Sequence, residues 1–187
     1  MLSNERDIAL WESFLGGDQE AFGLLFRNNY PYLFQYGSKL CTNQPLLEDT
    51  IQDLFVEIWK NKNAVPTLSV KAYLLKALKY KLLKEFSRHN STTLHDNIAD
   101  ESAFELGHEA FLISQQEDAD RSRKVLQSLQ QLSARQKEII YLKFYQNLSY
   151  EEVSVIMNIN YQAARNLLYH AIKALKKIIG QLTVLLA

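Results

Sequence analysis

Two serine residues in the second half of the chain define the starts of two helices. The segments Ser133–Gln136 and Ser149–Glu152 both fit the capping box, in which a Ser hydroxyl and a Gln or Glu side chain each bond a backbone N–H of the first helical turn. Asn158 follows where a turn needs left-handed backbone, a conformation that Asn tolerates well, and Asn160 can cap a third helix. Ile159 between them is expected to fill the core. This spacing predicts a helix-turn-helix.

The periodicity of these helices separates core side chains from exposed ones. Positions predicted to be buried are Ile139, Ile140, Leu142 and Phe144 in the first helix, Val153, Ile156 and Met157 in the second, and Ala164, Leu168, Ala171 and Leu175 in the third. The third helix leaves Arg, Gln and Asn side chains outward, which can pair with base edges in a DNA groove. The outward set is Tyr161, Gln162, Arg165, Asn166, Tyr169, His170 and Lys173. A three-helix packing module without a DNA role is the alternative.

The first half of the chain is also expected to be helical, since 6 Gly and 3 Pro in 187 residues argue against a turn-rich β protein. Asp18 and Ser69 are predicted helix caps, and Pro31 is expected to kink or interrupt the helix after Asp18. A further helix has an apolar stripe, Leu47, Ile51, Leu54, Phe55, Ile58 and Trp59, opposite a polar set, Asp49, Gln52, Asp53 and Glu57. This acidic face is either a docking surface or an ordinary solvated one.

A basic row characterises the helix after Ser69. Lys76, Tyr80, Lys84 and Arg88 follow one another at four-residue intervals, with Lys79 and Lys81 beside them. Glu85 is the only acid between residues 69 and 88. The row suggests a polyanionic partner, and an aromatic ring among cations can stack on unpaired bases. A solvated Lys-rich surface is the alternative.

The formal net charge of zero hides a segregation along the chain. Residues 1–90 carry 11 basic and 10 acidic side chains, residues 91–128 carry 3 and 8, and residues 129–187 carry 7 and 3. This distribution predicts an all-α protein with two small helical domains, residues 1–90 and 125–187, joined by an acidic linker, residues 91–124. The linker has few large apolar residues beyond Phe104 and Phe111 and is expected to be mobile or only partly helical.

Several classes of function lack support in the sequence. Cys41 is the single cysteine and the four His residues have no ligand spacing, so no disulfide or metal site is expected. Neither a nucleophile with its base, nor paired catalytic carboxylates, nor a phosphate loop is present, so we expect no enzyme, cofactor or small-molecule substrate. The charged first residues and the lack of a membrane-length apolar run predict a cytoplasmic protein.

From about Ala9 to Ile178 the chain resembles RNA polymerase sigma factors of the extracytoplasmic-function group, which keep only the second and fourth sigma domains. Glu48–Trp59 resembles the polymerase-binding helix. The resemblance implies that the acidic face binds core RNA polymerase at the β′ clamp helices, with the β subunit as a further partner. Lys71–Arg88 and the loop Asn61–Leu68 resemble the parts that melt promoter DNA and capture a flipped base. The implied minus-ten contacts are Asn61, Lys62, Asn63, Tyr73, Lys76, Lys79, Tyr80, Lys84 and Arg88.

Leu132–Gln136 and Leu148–Val153 resemble the start of the fourth domain, which implies that the outward set of the third helix contacts the minus-thirty-five element of promoter DNA. An anti-sigma factor, often membrane-bound in this group, is also implied. Three features depart from the group: Tyr80 replaces an Asn beside the flipped base, Asn158 replaces a turn Gly, and usually basic positions hold other residues, namely Leu167, His170 and Ile172.

Two other functions remain open from the residues alone. A stand-alone helix-turn-helix regulator would bind duplex DNA without polymerase, but it leaves the basic row of residues 76–88 without a role. A helical adaptor that binds only protein predicts no salt-dependent affinity for DNA. The apolar carboxyl end, residues 178–187, is expected to pack on the second domain or to form a docking site.

Overall fold

The computed structural model of the protein describes the backbone of residues 2–62, 69–89, 104–106 and 127–185, and the side chains of all of these except 2–4, 89 and 181–185. Every regular element in these ranges is helical, which confirms the all-α prediction. Two compact units make up the chain: Met1–Ile98 with Val155–Asn158, and Ala99–Ser154 with Ile159–Ala187. The linker boundaries at residues 91 and 124 lie outside the described residues and stay a prediction.

Four helices form the first unit: α1 (Leu2–Leu15), α2 (Gln19–Gly37), α3 (Gln44–Asn61) and α4 (Val70–His89). The predicted caps are confirmed. Asp18 Oδ1 accepts hydrogen bonds from the N–H groups of Glu20 and Ala21 at 2.8 and 3.1 Å, and Ser69 Oγ accepts one from Ala72 N–H at 3.2 Å. These bonds satisfy backbone donors that the first helical turn leaves without partners.

Helix α2 continues through Pro31 to Gly37, so the expected interruption is wrong. Pro31 is exposed, and its missing N–H removes one hydrogen bond of the helix. Leu33 and Tyr36 beyond it are 1% and 0% exposed. Burial of these large side chains outweighs the local cost of one proline.

The core of the first unit is formed by contacts of α2 and α4 with each other and with α1 and α3. Aromatic rings fill much of it, with centroid separations of 5.0 Å for Phe14–Phe22, 5.0 Å for Phe22–Trp59 and 4.9 Å for Phe26–Phe55. At Gly37 a β-carbon would collide with the side chain of Leu47. The glycine therefore permits the close approach of α2 to α3.

From residue 127 onward the structure contains a helical turn at residues 127–130, α5 (Ala134–Ile140), a π-helical turn (Tyr141–Tyr145), α6 (Tyr150–Met157) and α7 (Tyr161–Leu185). All of these belong to the second unit except Val155–Asn158, the end of α6 and the turn residue after it. Helix α5 packs against α7. Most of the predicted core positions are confirmed as buried: Ile139, Ile140, Leu142, Val153, Ile156, Met157, Ala164, Leu168 and Ala171, while Leu175 is half-buried.

The prediction that Phe144 points inward is wrong, because the helix changes type before it. In the π-helical turn the N–H of Gln146 bonds the carbonyl of Tyr141, five residues earlier, at 3.1 Å. The extra residue in this turn shifts the periodicity on which the prediction relied. Phe144 is 61% exposed, whereas Tyr141 is 3% exposed and its hydroxyl accepts a hydrogen bond from Gln146 Nε2 at 2.9 Å.

Three residues of the predicted linker pack on the second unit. Phe104 and Leu106 are 1% and 4% exposed, and the Phe104 ring lies 5.6 Å from that of Tyr141. Between them, Glu105 forms a 3.9 Å ion pair with Lys137. This part of the linker is therefore anchored rather than mobile; the remaining residues between 91 and 124 lie outside the described ranges.

Candidate nucleic-acid interface

Helix α3 presents the predicted acidic face to solvent. Asp49, Gln52, Asp53 and Glu57 are all exposed, on the side opposite the buried stripe that includes Ile51. The first three follow one another at spacings of three and one residues, which places them on one surface of the helix. Glu57 differs from the others, because its carboxylate forms an ion pair with Lys81 of α4 at 2.5 Å.

Helix α4 presents the basic strip, which we define as Lys76, Tyr80, Lys84 and Arg88. All four side chains are exposed, and Tyr80 is 73% exposed. Arg88 forms an ion pair with Glu85 of the same helix, with 2.8 Å between a guanidinium nitrogen and a carboxylate oxygen. Lys79 departs from the expectation, since it is only 9% exposed: it lies one residue after Leu78, on the inward side of the helix, and is therefore not part of the strip.

A pocket of about 410 Å³ opens beside the basic strip. It lies among helices α1, α3 and α4, and thus entirely within the first unit. Aromatic, cationic, amide and acidic side chains line it together with aliphatic ones. The lining residues are Trp11, Leu54, Glu57, Ile58, Asn61, Tyr73, Lys76, Ala77, Tyr80 and Lys81.

Part of the pocket wall is aromatic. Trp11 is 5% exposed, and its ring meets the Tyr73 ring edge to face at 5.5 Å. Its indole N–H is buried without a hydrogen-bond partner. Burial raises the pKa of the Tyr73 phenol, so this hydroxyl stays protonated at neutral pH and remains a hydrogen-bond donor.

The pocket lining also includes polar and exposed side chains. Lys76 and Asn61 offer donors, and Tyr80 offers an exposed ring face. A flat ring with a hydrogen-bonding edge fits this combination, because aromatic faces stack on bases while amides and ammonium groups bond their edges. The pocket therefore has the chemistry needed to bind an unpaired nucleobase.

The loop after α3 is described only at its start. Lys62 adopts left-handed backbone with φ of 35° and ends α3, and its ammonium nitrogen lies 4.7 Å from the centre of the Trp59 ring. This cation–π contact holds one predicted DNA-contacting lysine against the first unit. Asn63, a further predicted contact, and the rest of the loop to Leu68 lie outside the described residues.

Trp11 is the pocket residue that sequence reasoning missed, because α1 was not predicted. The signal was present: Asp7, Trp11 and Phe14 are buried at spacings of four and three residues, as expected for one side of a helix. Lys81 was noted as a neighbour of the basic row, but its ion pair with Glu57 was not foreseen.

The helix-turn-helix of the second unit is built as the sequence predicted. Asn158 has φ of 52°, and Asn160 Oδ1 accepts a hydrogen bond from Ala163 N–H at 2.7 Å. Ile159 between them is half-buried. Both capping boxes form, with the second one joining Ser149 N–H to a Glu152 carboxylate oxygen at 2.7 Å. Local side-chain bonds thus fix the start of each of the three helices.

Helix α7 displays the outward row of side chains that was predicted from its periodicity. Gln162 Nε2 donates to Asn166 Oδ1 at 3.1 Å, and the Arg165 guanidinium lies 6.0 Å from the centre of the Tyr161 ring. These contacts between members of the row hold their long side chains in place on the exposed surface. All seven members are exposed: Tyr161, Gln162, Arg165, Asn166, Tyr169, His170 and Lys173.

Two further features bear on function. Within the described ranges, no three side chains among His, Cys, Asp and Glu are grouped so that they could hold a metal ion. No described helix is both long enough and apolar enough to cross a bilayer.

Comparison with known proteins agrees with this architecture. Residues 122–175 match the family model "Sigma-70, region 4". No curated protein matches the chain by sequence. Among solved structures, CnrH in complex with the cytosolic domain of CnrY is 18% identical with a TM-score of 0.62, over 94% of this chain and 98% of that one. The sigma factor RpoE from Bartonella quintana, in complex with the anti-sigma factor NepR, is 18% identical with a TM-score of 0.55, over 85% of this chain and 96% of that one.

At this level of identity the two structures establish the fold, while the family model identifies the module that contains the helix-turn-helix. Together they confirm the resemblance to sigma factors: the chain has a fold similar to that of the sigma factor RpoE, and residues 122–175 match the Sigma-70 region 4 model.

Proposed function

We propose that this protein is a transcription initiation factor of the extracytoplasmic-function group, which binds core RNA polymerase and directs it to promoters. The observation that carries the proposal is that one chain combines two different surfaces whose chemistry suits nucleic acid. A region 4 module displays a row suited to duplex DNA, and the first unit has a pocket suited to an unpaired base. A stand-alone duplex-binding regulator has no use for the second surface.

The first unit melts and binds the minus-ten element. A base that leaves the stack costs a few kcal/mol, and stacking on an aromatic side chain recovers roughly 1–3 kcal/mol per base. Tyr80 and the pocket beside it supply that stacking, and Lys76 and Lys84 attract the neighbouring phosphates. Lys62 and Asn61 extend this surface towards the following loop.

The second unit places the first turns of α7 in the major groove of the minus-thirty-five element. Arg165 is suited to a bidentate bond with guanine, and Gln162 or Asn166 to adenine. The hydrogen bond between Gln162 and Asn166 must open for both amides to contact bases. Tyr161, Tyr169, His170 and Lys173 contact the sugar-phosphate backbone on either side.

The protein partners follow from the acidic face and from the related structures. The acidic face of α3 docks on the β′ clamp helices of core polymerase, and the β subunit is a further contact. CnrH and RpoE were each solved with a protein partner, CnrY and the anti-sigma factor NepR, which supports an anti-sigma factor, soluble or membrane-bound, as the inhibitor of this chain. The site of action is the cytoplasm, where the promoter DNA lies.

The test is transcription from a genomic fragment library by core polymerase, with and without the protein, followed by mapping of the start sites. New start sites that share two upstream elements are the expected result. An absence of new start sites, together with no stable complex with the host's core enzyme, would contradict the proposal. DNA binding by the full chain alone would then favour the stand-alone regulator.

A further inference from the structure

Glu57 belongs to two surfaces of the first unit. It is part of the acidic face of α3, and it also lines the pocket, unlike Asp49 and Asp53 of the same face. Its carboxylate forms an ion pair with Lys81 of α4, which lines the pocket as well. Glu57 thus lies where the acidic face meets the pocket. The pocket residues of α3 follow the spacing of one helix side: Leu54, Glu57, Ile58 and Asn61.

The ion pair connects α3 with α4 at the pocket. Glu57 and Lys81 are 24 residues apart in the sequence, and 2.5 Å separates Lys81 Nζ from Glu57 Oε1. The Lys81 side chain is 21% exposed and the Glu57 side chain is 59% exposed. The ammonium group is therefore partly shielded by the pocket wall, whereas the carboxylate is accessible to a partner outside the pocket.

The pair affects the charge of the pocket more than the stability of the fold. A partly exposed ion pair contributes little to stability, because water solvates both charges and screens their attraction. Among the described lining residues, Lys76 and Lys81 carry positive charges and Glu57 carries a negative one, which gives a net charge of +1. While the pair is closed, Glu57 offsets the charge of Lys81 and repels the phosphates of DNA.

We propose that Glu57 restrains the binding of single-stranded DNA by the free chain, and that docking of polymerase on the acidic face releases Lys81 to a DNA phosphate. This inference rests on the proposed function. Cations of the polymerase that bind Asp53 lie one helical turn from Glu57 and attract its carboxylate. The Lys81 ammonium then has all three N–H donors available to the DNA backbone. Lys81 is the DNA contact, and Glu57 is a positioning residue that acts through it.

The exchange of partners is easy because neither charge is left unpaired. The carboxylate of Glu57 moves from Lys81 to a polymerase cation, and Lys81 moves from Glu57 to a phosphate. One weak ion pair is thus replaced by two, one of them with DNA. In the alternative, Glu57 is simply a further docking contact. That alternative predicts no effect of Glu57 on DNA binding when polymerase is absent.

The experiment is fluorescence anisotropy of a labelled single-stranded promoter oligonucleotide with the full chain at low salt. Without polymerase, Glu57→Gln is expected to bind about fivefold more tightly and Lys81→Gln about fivefold more weakly, the upper end of the range for a partly exposed ion pair. The amide keeps an oxygen that can accept a bond from Lys81 but lacks the charge. Glu12→Gln removes the same charge at an exposed position of α1 and should bind as the wild type does.

The same titration with saturating core polymerase tests the release of Lys81, with core polymerase alone as the background. Because docking has already drawn Glu57 away, the advantage of Glu57→Gln over the wild type should disappear in the complex. The loss caused by Lys81→Gln should remain. Constant repulsion of DNA by Glu57 would instead give the same advantage with and without polymerase, and would contradict release by docking.

Other outcomes decide the restraint itself. Equal affinities of the wild type and Glu57→Gln in the absence of polymerase would overturn it, as would no measurable binding by either. A gain of the same size for Glu12→Gln would attribute the effect to general charge. If the chain forms no complex with core polymerase, the proposed function and the release both fail, but the free chain still decides whether Glu57 restrains DNA binding. Circular dichroism checks that each variant retains its helices.

Discussion

Tyr80 is the most exposed of the large hydrophobic side chains in the described chain, with 73% of its surface accessible. An aromatic ring held open beside a pocket contributes little to folding, because it buries little surface. The exposed ring is instead available to stack on another flat ring, such as an unpaired base. At the scale of single residues, exposure thus separates side chains that stabilise the fold from those left available to a ligand.

We expect Tyr80→Ala to weaken promoter opening by roughly 1–3 kcal/mol, the stacking energy of one base, and Tyr80→Phe to retain most of it. The free energy of unfolding should change by less than about 0.5 kcal/mol, as for exposed sites in general. Permanganate reactivity of unpaired thymines in the polymerase–promoter complex measures the opening. Tyr32→Ala, also exposed but on α2, is the control; an equal loss there would contradict a specific role for Tyr80.

Asp7 is a buried carboxyl whose ionised form is costly. It is 8% exposed, and burial raises its pKa above 3.8 despite hydrogen bonds to Asn28 and Asn29 and the nearby cations Arg6 and Lys71. A folded-state pKa above the unfolded value contributes stability that is complete below the unfolded pKa and is lost as pH rises through the folded pKa. At neutral pH the charged carboxylate therefore lowers the free energy of unfolding.

Replacement of Asp7 by Asn is accordingly expected to raise the free energy of unfolding at neutral pH, and to have a smaller effect below pH 3.8. The amide keeps an oxygen that accepts hydrogen bonds and removes the buried charge. Urea denaturation at the two pH values measures the difference. Asp49→Asn changes an exposed carboxyl and should show little change at either pH; a gain for Asp7→Asn that is equal at both would refute the titration argument.

Among the elements, the starts of five helices could be predicted because local bonds decide them. The caps at Asp18, Ser69 and Asn160, and the capping boxes at Ser133 and Ser149, each join residues two or three positions apart. Such bonds depend only on the sequence around them. The same holds for the left-handed turn at Asn158.

Tertiary packing decides the elements that could not be predicted. The π-helical turn at Tyr141–Tyr145 moves Phe144 outward. Helix α2 stays continuous because large side chains beyond Pro31 are buried. Phe104 belongs to a segment whose acidity suggested mobility, but its own ring is buried against Tyr141. For α2 and Phe104, packing against residues distant in sequence overrides the local pattern. The π-helical turn instead changes the periodicity itself, through the bond from Gln146 N–H to the Tyr141 carbonyl.

The two phenylalanines provide a matched test of this account. Phe104→Ala removes a ring that is 1% exposed and should cost about 3 kcal/mol or more of unfolding free energy, while Phe144→Ala removes one that is 61% exposed and should cost less than about 0.5 kcal/mol. Urea denaturation of the full chain, followed by the unfolding of the second unit, measures both. Equal losses would mean that Phe104 is not anchored on that unit.

At the scale of the whole molecule, the sequence predicted surfaces better than it predicted the pocket. The acidic face of α3 and the outward row of α7 each lie on a single helix, so periodicity alone placed them. The pocket needs side chains from α1, α3 and α4 together, and a single helix pattern contains no such information. Even within one helix, periodicity did not predict the burial of Lys79, because that burial depends on what covers that side of α4.

Under the proposed division of promoter binding between the two units, each unit would bind DNA only weakly on its own. A single module of this size buries roughly 600–1,000 Å² on DNA, and attachment of both units to the polymerase would raise their effective concentration at the two promoter elements. Damage to one unit is therefore expected to depend on the promoter, whereas damage to polymerase docking is not.

Asp53→Lys is expected to weaken binding to core polymerase at least tenfold and to lower transcription from every promoter, because it reverses a charge at the centre of the acidic face. Asp53 is preferred to Glu57, whose replacement would also break the ion pair with Lys81. Pull-down with core polymerase measures the affinity. Glu12→Lys makes the same charge change at an exposed position of α1 and should bind normally; unchanged binding by Asp53→Lys would exclude this face as the docking site.

The effect of Arg165→Ala should depend on the promoter, unlike that of Asp53→Lys. A bidentate bond to guanine contributes about 1–3 kcal/mol of discrimination, so transcription from a promoter with an intact minus-thirty-five element should fall by about tenfold. On a promoter that lacks the element, the variant should match the wild type, because α7 has no base to contact there. Arg27→Ala, at an exposed position of α2, should lower neither. If Arg165→Ala lowers both promoters equally, the guanidinium acts on general DNA affinity or on folding, and α7 does not select the element.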